Sequence, residues 1–270
     1  MQTLFFERPA GAIAYDDSGD AGELVMMLPG MGDLRAEYRF VAPLLRAAGY
    51  RTVTADLRGL GESSAHWPEY TVPAVGDDIL ALIDHLGAGP AHIIATSFTP
   101  AAAIWAAAER PQAIRSLILI GPFARTIKMS PVQQIGMWAI MHGPWKVRAW
   151  EMFYQSLYPT RKPDDFAAYL AKLRANLAEP GRFAATKAMG EAPRAPAEER
   201  FGRVQAPVLI VMGSKDPDFP SPEAEARLLA ERLSGEVAII EGAGHYPQAE
   251  MPEQFTPLAL TFLQKNRGQA

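Results

Sequence analysis

The sequence contains no cysteine. Disulfide cross-links and thiolate metal sites are therefore excluded outright. A cysteine-free chain suits a reducing compartment, and a cytoplasmic location is the expectation. Long apolar runs are also missing. No stretch approaches the roughly 18 consecutive apolar residues that a membrane-spanning helix needs, so no membrane insertion is expected. The N-terminal apolar run covers only residues 4–6 and meets Glu7 and Arg8 at once, which does not read as a signal peptide. Excess positive charge is lacking too. The net charge is −4 and the pI near 5.8, with no basic run. That leaves no electrostatic footprint for nucleic acid or for anionic lipid. Gly30 and Gly32 are not followed by the rest of a dinucleotide fingerprint, and there is no P-loop lysine. Asp77, Asp78 and Asp84 have no metal-ligand partners at suitable spacing and read as a solvated helix face. Neither a cofactor nor a metal is expected.

What remains is an ordinary globular composition. The chain has 270 residues, 49% of them hydrophobic and 21% charged, enough to bury a full core without covalent staples. Short, nearly continuous apolar runs stand at 24–28, 51–55, 92–96, 116–120, 208–212 and 237–240. Runs of this kind read as strands buried on both faces. Helix-period stretches at 39–48, 73–86, 100–110 and 222–233 lie between them. Alternation of this kind implies a mostly parallel twisted sheet flanked by helices. Segments around Phe5 and Ile13 add an antiparallel pair. The alternation breaks once, because about eighty residues separate the strand ending at Ile120 from the one starting at Val208. Pro131, Pro144 and Pro163 sit where first-turn prolines start helices. The expected organisation is an α/β core over 1–124 and 203–270, with a helical cap inserted at 125–202.

Three short segments carry candidate chemistry. In AHIIATSFTPAAAIWAAAERP a buried strand meets an Ala-rich helix, with Ser97 at the turn. A serine there is held up into the crevice above the sheet, beside the N–H groups of the new helix. The competing role is simple helix capping, which serine also favours. In EGAGHYPQAEMPEQF a strand ends at Ile240 and a Gly-rich loop presents His245. Imidazole is the side chain whose ordinary pKa suits taking and returning a proton near neutrality. In PVLIVMGSKDPDFPSP, Asp216 and Asp218 follow a buried strand. Asp216 is the first choice to orient the imidazole and Asp218 the fallback; either also suits turn capping. An acyl-transfer site needs donors for a developing oxyanion. The backbone N–H groups of Met31, in LPGMG, and of Phe98 are the natural pair.

Four blocks in this order resemble the α/β-hydrolase superfamily. LPGMG is similar to its oxyanion block, with Pro29 in place of the usual His. Residues 56–63, DLRGLGES, match D-x-R-G-x-G-x-S at every fixed position. Residues 95–99, ATSFT, resemble the G-x-S-x-G elbow with both glycines replaced, by Ala95 and Thr99. Gly213 to Asp216 and Gly244-His245 look like the acid and base loops. The resemblance implies a serine-nucleophile, esterase-like hydrolase with a helical cap. In it Ser97 attacks a carbonyl, His245 takes the proton, and water later releases the acid.

The cap is rich in aromatic residues and methionine. Phe123, Trp138, Met141, Trp150, Phe153 and Tyr154 are the expected pocket lining, although each also suits packing within a small helical unit. A hydrophobic small-molecule carboxylic ester is the expected substrate, and a monomer or weak homodimer the expected state. Two alternatives stand beside it. One is a low-turnover ligand-binding protein on the same fold, suggested by Thr99. The other is a hydrolase of amide, carbamate or C–C bonds.

Overall fold

The computed structural model describes residues 2–127 and 130–268. Residues 1 and 269–270 of the expected core, and 128–129 of the expected cap, lie outside the described residues. Eight strands form one sheet: β1 (Leu4–Arg8), β2 (Gly11–Asp17), β3 (Leu24–Leu28), β4 (Arg51–Ala55), β5 (Ala91–Thr96), β6 (Ile114–Ile120), β7 (Val208–Gly213) and β8 (Glu236–Ile240). Their spatial order is β1-β2-β4-β3-β5-β6-β7-β8. β1 and β2 form an antiparallel hairpin with Phe6 opposite Ile13. β2 runs antiparallel to β4, and all later pairings are parallel. This is the fold class expected from the sequence.

Apolar alternation explains why the central strands are covered on both sides. Leu24, Met26 and Leu28 of β3 join one cluster with Ile79, Leu82 and Ala102. Val25 and Met27 point the other way and join Leu45 and Phe255. The helices behind these contacts are α1 (Ala42–Ala47), α2 (Val72–Leu86), α3 (Thr99–Glu109), α9 (Pro222–Leu233) and α11 (Pro252–Lys265), with the single turn α10 (Pro247–Glu250) before the last. Helix α2 starts where the Thr71 hydroxyl accepts the Ala74 N–H (3.3 Å). It stops at Gly87, whose φ of 58° suits a residue without Cβ. The helix expected from residue 39 begins later, because a 3-10 turn at Arg35–Tyr38 comes first. Helix α11 was not anticipated. Its buried Phe255, Ala259, Phe262 and Leu263 follow a helical period, but Pro257 lies inside it. Burial of Phe255 alone is worth on the order of 2–3 kcal/mol.

Between β6 and β7 run five helices: α4 (Pro131–Met141), α5 (Lys146–Ser156), α6 (Phe166–Ala178), α7 (Arg182–Glu191) and α8 (Ala195–Glu198). No helix among the described residues is long and apolar enough to cross a membrane. From β3 the chain moves to β4 on one side and then crosses to β5 on the other. The loops leaving β3 and β5 therefore diverge, opening a crevice at the carboxyl ends of the strands.

Candidate active site

β5 delivers its last residue, Thr96, to that crevice, and Ser97 follows with φ 63°. A non-glycine residue in this left-handed region is strained and persists only where its surroundings over-determine it. They do so here. The Ser97 N–H donates to Ile120 O (2.8 Å), and Ser97 O accepts from Phe123 N (2.9 Å). Both partners belong to the end of β6 or the loop beyond it. The capping role is not the one Ser97 plays, because Phe98 occupies the cap position of α3 and makes no side-chain cap bond. Thr99, the departure from the elbow pattern, is buried, and its hydroxyl donates to Pro29 O. The extra atoms tie the serine turn to the loop after β3.

The base loop arrives from β8. His245 Nδ1 lies 2.7 Å from Asp216 Oδ2 and 3.7 Å from Asp218 Oδ2. Asp216 is thus the hydrogen-bonded partner and Asp218 the second carboxylate. Burial pulls the imidazole pKa down, but Asp216 and then Asp218 outweigh it and hold it at about 9. Asp218 is pushed up to about 6, by burial first, with His245 opposing and Asp216 adding. His245 Nε2 is buried and has no hydrogen-bond partner among the described residues. No hydrogen bond joins it to Ser97, although both lie against the end of β6. A Cβ built on Gly121 would stand 2.8 Å from His245 Cε1, so only glycine lets the ring sit there. Asp216, Asp218 and His245 are also the one set among the described residues with metal-like spacing, their ligand atoms lying within 4.8 Å of one another.

Two amides on either side of the crevice lack a backbone acceptor among the described residues. Neither the Met31 N–H nor the Phe98 N–H donates a hydrogen bond to another described residue. Gly30 brings the first loop close, since a Cβ built there would lie 3.0 Å from Ser97 Cβ. Behind this loop lies a polar network that motif reading missed. Glu37 is fully buried and accepts from Gly30 N (3.2 Å), Thr96 Oγ1 (2.7 Å) and Gln248 Nε2. One carboxyl therefore touches the β3 loop, the residue before Ser97 and the helix after His245. Asp33, also buried, accepts from Tyr154 OH (2.9 Å), Tyr169 OH and Leu34 N (2.8 Å). Burial pushes both carboxyls up, Glu37 well above the ordinary range with Asp33 adding to it. No spacing signal marks Glu37 in the sequence; only its place a few residues after LPGMG hints at it.

The expected pocket residues divide. Trp150 is buried, and its indole N–H donates to Gly32 O (3.2 Å). Tyr154 is buried on Asp33 as described. Phe153 is half-buried and packs against Trp150 with ring centroids 5.4 Å apart. Met141 is buried, and its Cε and the Met31 Sδ both lie 3.5 Å from a Cβ position at Gly190. Phe123 is half-buried between Phe219 (4.7 Å) and His245 (5.9 Å). Trp138 departs from the expectation. It is 61% exposed and stacks on the His142 ring at 4.9 Å. Asp78, expected in solvent, is buried and pairs with Arg58 (2.7 Å) and Arg8 (3.1 Å). The insert is bound to the base loop, since His245 N donates to Leu157 O (3.0 Å) and Thr160 N to the buried Glu250 (2.9 Å).

The D-x-R-G-x-G-x-S block serves the scaffold. Buried Asp56 accepts from Arg35 N (2.7 Å) and Glu62 N (3.0 Å) and pairs with the Arg35 guanidinium. Ser63 Oγ accepts from Ala14 N (2.9 Å), tying the block to β2.

Known proteins agree with this architecture. The family model described as alpha/beta hydrolase fold matches residues 23–252. The chain is similar to a 2-hydroxy-6-oxononadienedioate/2-hydroxy-6-oxononatrienedioate hydrolase of Klebsiella pneumoniae, 27% identical over 264 residues, 93% of this chain and 90% of that protein. It is 29% identical over 254 residues to a pimeloyl-[acyl-carrier protein] methyl ester esterase of Neisseria meningitidis, covering 91% and 94%. Its fold matches that of a bromoperoxidase from Bacillus anthracis with a TM-score of 0.85 at 19% identity, over 97% of this chain and 100% of the other. With the family model spanning most of the chain, from β3 to the start of α11, the protein belongs to the α/β-hydrolase family.

Proposed function

We propose that this protein is a serine hydrolase acting on a carboxylic ester of a hydrophobic small molecule. Ser97 attacks the carbonyl, and His245 takes its proton and returns it to the leaving alcohol; water, deprotonated by the same imidazole, then releases the acid and restores the Ser97 hydroxyl. Asp216 holds the imidazole in the correct tautomer, and the amides of Met31 and Phe98 receive the oxyanion. The observation that carries this reading is the meeting at the end of β6. There the strained Ser97 is clamped to Ile120, and the His245–Asp216 pair packs on Gly121. The open Ser97–His245 contact is compatible with it, since catalytic hydrogen bonds in free enzymes are often long and tighten on substrate. Half-buried Met31 and Phe123, with buried Met141, supply an apolar surround.

A second reading is C–C bond hydrolysis by the same groups, favoured by the likeness to the dienedioate hydrolase. A panel of esters, amides and 1,3-diketone-type C–C substrates on purified protein separates the two, with Ser97→Ala as control. Ester turnover that vanishes in Ser97→Ala supports the first reading. Turnover confined to C–C substrates replaces it with the second, and ester turnover unchanged in Ser97→Ala removes both.

A further inference from the structure

The chain has nineteen arginines, and eighteen of them lie within 4.0 Å of a carboxylate. The exception among the described residues is Arg194, in the connection from α7 to α8. Its Nε donates to Phe123 O (3.1 Å), and its Nη1 to Met189 O (3.2 Å) and Ala192 O. Its guanidinium stacks over the Phe98 ring, 4.6 Å from the centroid. Nη2 donates to none of the described residues, and it is not among the polar atoms sealed from solvent without a partner.

Position makes this exception informative. Phe98 follows the nucleophile candidate and offers one of the two free amides. Phe123 N holds the Ser97 carbonyl at 2.9 Å, and Phe123 O holds Arg194. The cation thus stands one hydrogen-bonded residue away from Ser97, against the ring beside it. Carbonyl tethering alone needs only a neutral donor. A guanidinium withdrawn from water without a counter-charge is unfavourable, and burial with no carboxylate opposing it pulls the Arg194 pKa down to about 10. Its free edge matches a carboxylate oxygen.

We propose that Arg194 forms an anion subsite and that the substrate carries a free carboxylate in addition to the bond that is cleaved. The proposal rests on the serine-hydrolase reading above for the identity of that bond. One guanidinium balances one negative charge, which fits a carboxylate monoanion better than a phosphate dianion. The preferred ester is then the half-ester of a dicarboxylic acid, its apolar chain spanning the distance between Ser97 and Arg194.

The test compares monomethyl adipate with dimethyl adipate on the intact protein. Wild type is expected to favour the half-ester in kcat/KM. Arg194→Gln should lower that preference about 10- to 100-fold, the range of one charge-assisted hydrogen bond, and Arg194→Lys should restore part of it. Equal use of both esters by wild type overturns the proposal. So does an equal loss for both in Arg194→Gln, which is what a purely structural tether gives. A readout free of turnover is the thermal midpoint with adipate present, in both wild type and Ser97→Ala. Adipate should raise it in these two and not in Arg194→Gln. If neither ester is cleaved, the serine-hydrolase reading fails while the adipate shift still decides the subsite. Should Arg194→Gln not fold, Arg194→Lys with a weakened adipate shift supports the proposal, and no shift in wild type ends it.

Discussion

Two pairs of acids, all buried except half-buried Asp218, flank the candidate nucleophile, and they are built for opposite ends. Asp216 and Asp218 face an imidazole. Asp33 and Glu37 face hydroxyls, amides and each other, with no cation among their hydrogen-bond partners. The first pair favours a charged neighbour and raises the His245 pKa to about 9. The second favours its own protonated form, because burial without a counter-charge disfavours a carboxylate. Carboxyl groups thus stabilise a charge on the imidazole in one pair, and in the other gather hydroxyl and amide donors with their pKa values pushed up by burial. The neighbours set the role, and the residue type alone does not reveal it.

The largest effect that would sharpen this contrast lies in the first pair. Asp216→Asn is expected to lower kcat about 10^4-fold, the scale for losing the correct tautomer. Asp218→Asn should cost less than about tenfold, since Asp218 lies beyond hydrogen-bond distance. Steady-state kinetics on the best ester decide it, and comparable losses in both would reverse the assignment.

Next comes the hub. Glu37→Ala leaves Gly30 N, Thr96 Oγ1 and Gln248 Nε2 without their common acceptor. It should cost about 1–3 kcal/mol of stability. Glu37→Gln, which mimics the protonated acid, should cost less. Urea midpoints measure both, and an Ala variant as stable as wild type would show that the network holds nothing together.

The pH response separates the pairs further. Catalysis needs the neutral imidazole, so kcat/KM should rise with pH along a limb near pH 9, and Asp216→Asn should move that limb down. For stability the sign is the same on both sides, but the window of His245 lies above that of the raised carboxyls, Asp218 included. His245 has its pKa raised above 6.5, so its contribution is complete below pH 6.5 and is lost as pH rises through about 9. Asp33 and Glu37 are raised above 3.8 and 4.5, so the fold binds protons there that the unfolded chain releases. Their contribution is complete below those values and falls as pH rises beyond them. Urea midpoints against pH should show the lower window made shallower by Glu37→Gln, and by Asp218→Asn only in the part between about 3.8 and 6. A slope unchanged by Glu37→Gln contradicts the protonated hub.

The smallest effect tests the outer surface. Trp138→Ala should change stability by no more than about 0.5 kcal/mol, as exposed positions do. A larger change in the thermal midpoint would place Trp138 in the packed interior after all.

Legibility followed the physical reach of each signal. Strands β3 and β4 coincide with their apolar runs, because burial on both faces leaves a continuous stretch bounded by turn residues. Ser97, His245 and Asp216 could be singled out as candidates because each follows the end of a strand of the sheet. Glu37 and Arg194 were not. Glu37 acts through partners 7, 59 and 211 residues away, and no spacing encodes such contacts. Arg194 is distinguished only by what it lacks, which becomes visible when every other arginine has found its carboxylate. Asp78 was misread as solvated because its partners, Arg58 and Arg8, come from other elements of the chain. Trp138 was misplaced because helical spacing of aromatics does not say which face turns inward.

An activated Ser97 at the end of β5 is what the proposed ester chemistry requires. A fluorophosphonate probe followed by peptide mass spectrometry tests this most directly. The expected result is a single adduct on Ser97, absent in Ser97→Ala and strongly slowed in His245→Ala. A folded wild-type protein that takes up no probe, or takes it up elsewhere, would contradict the account.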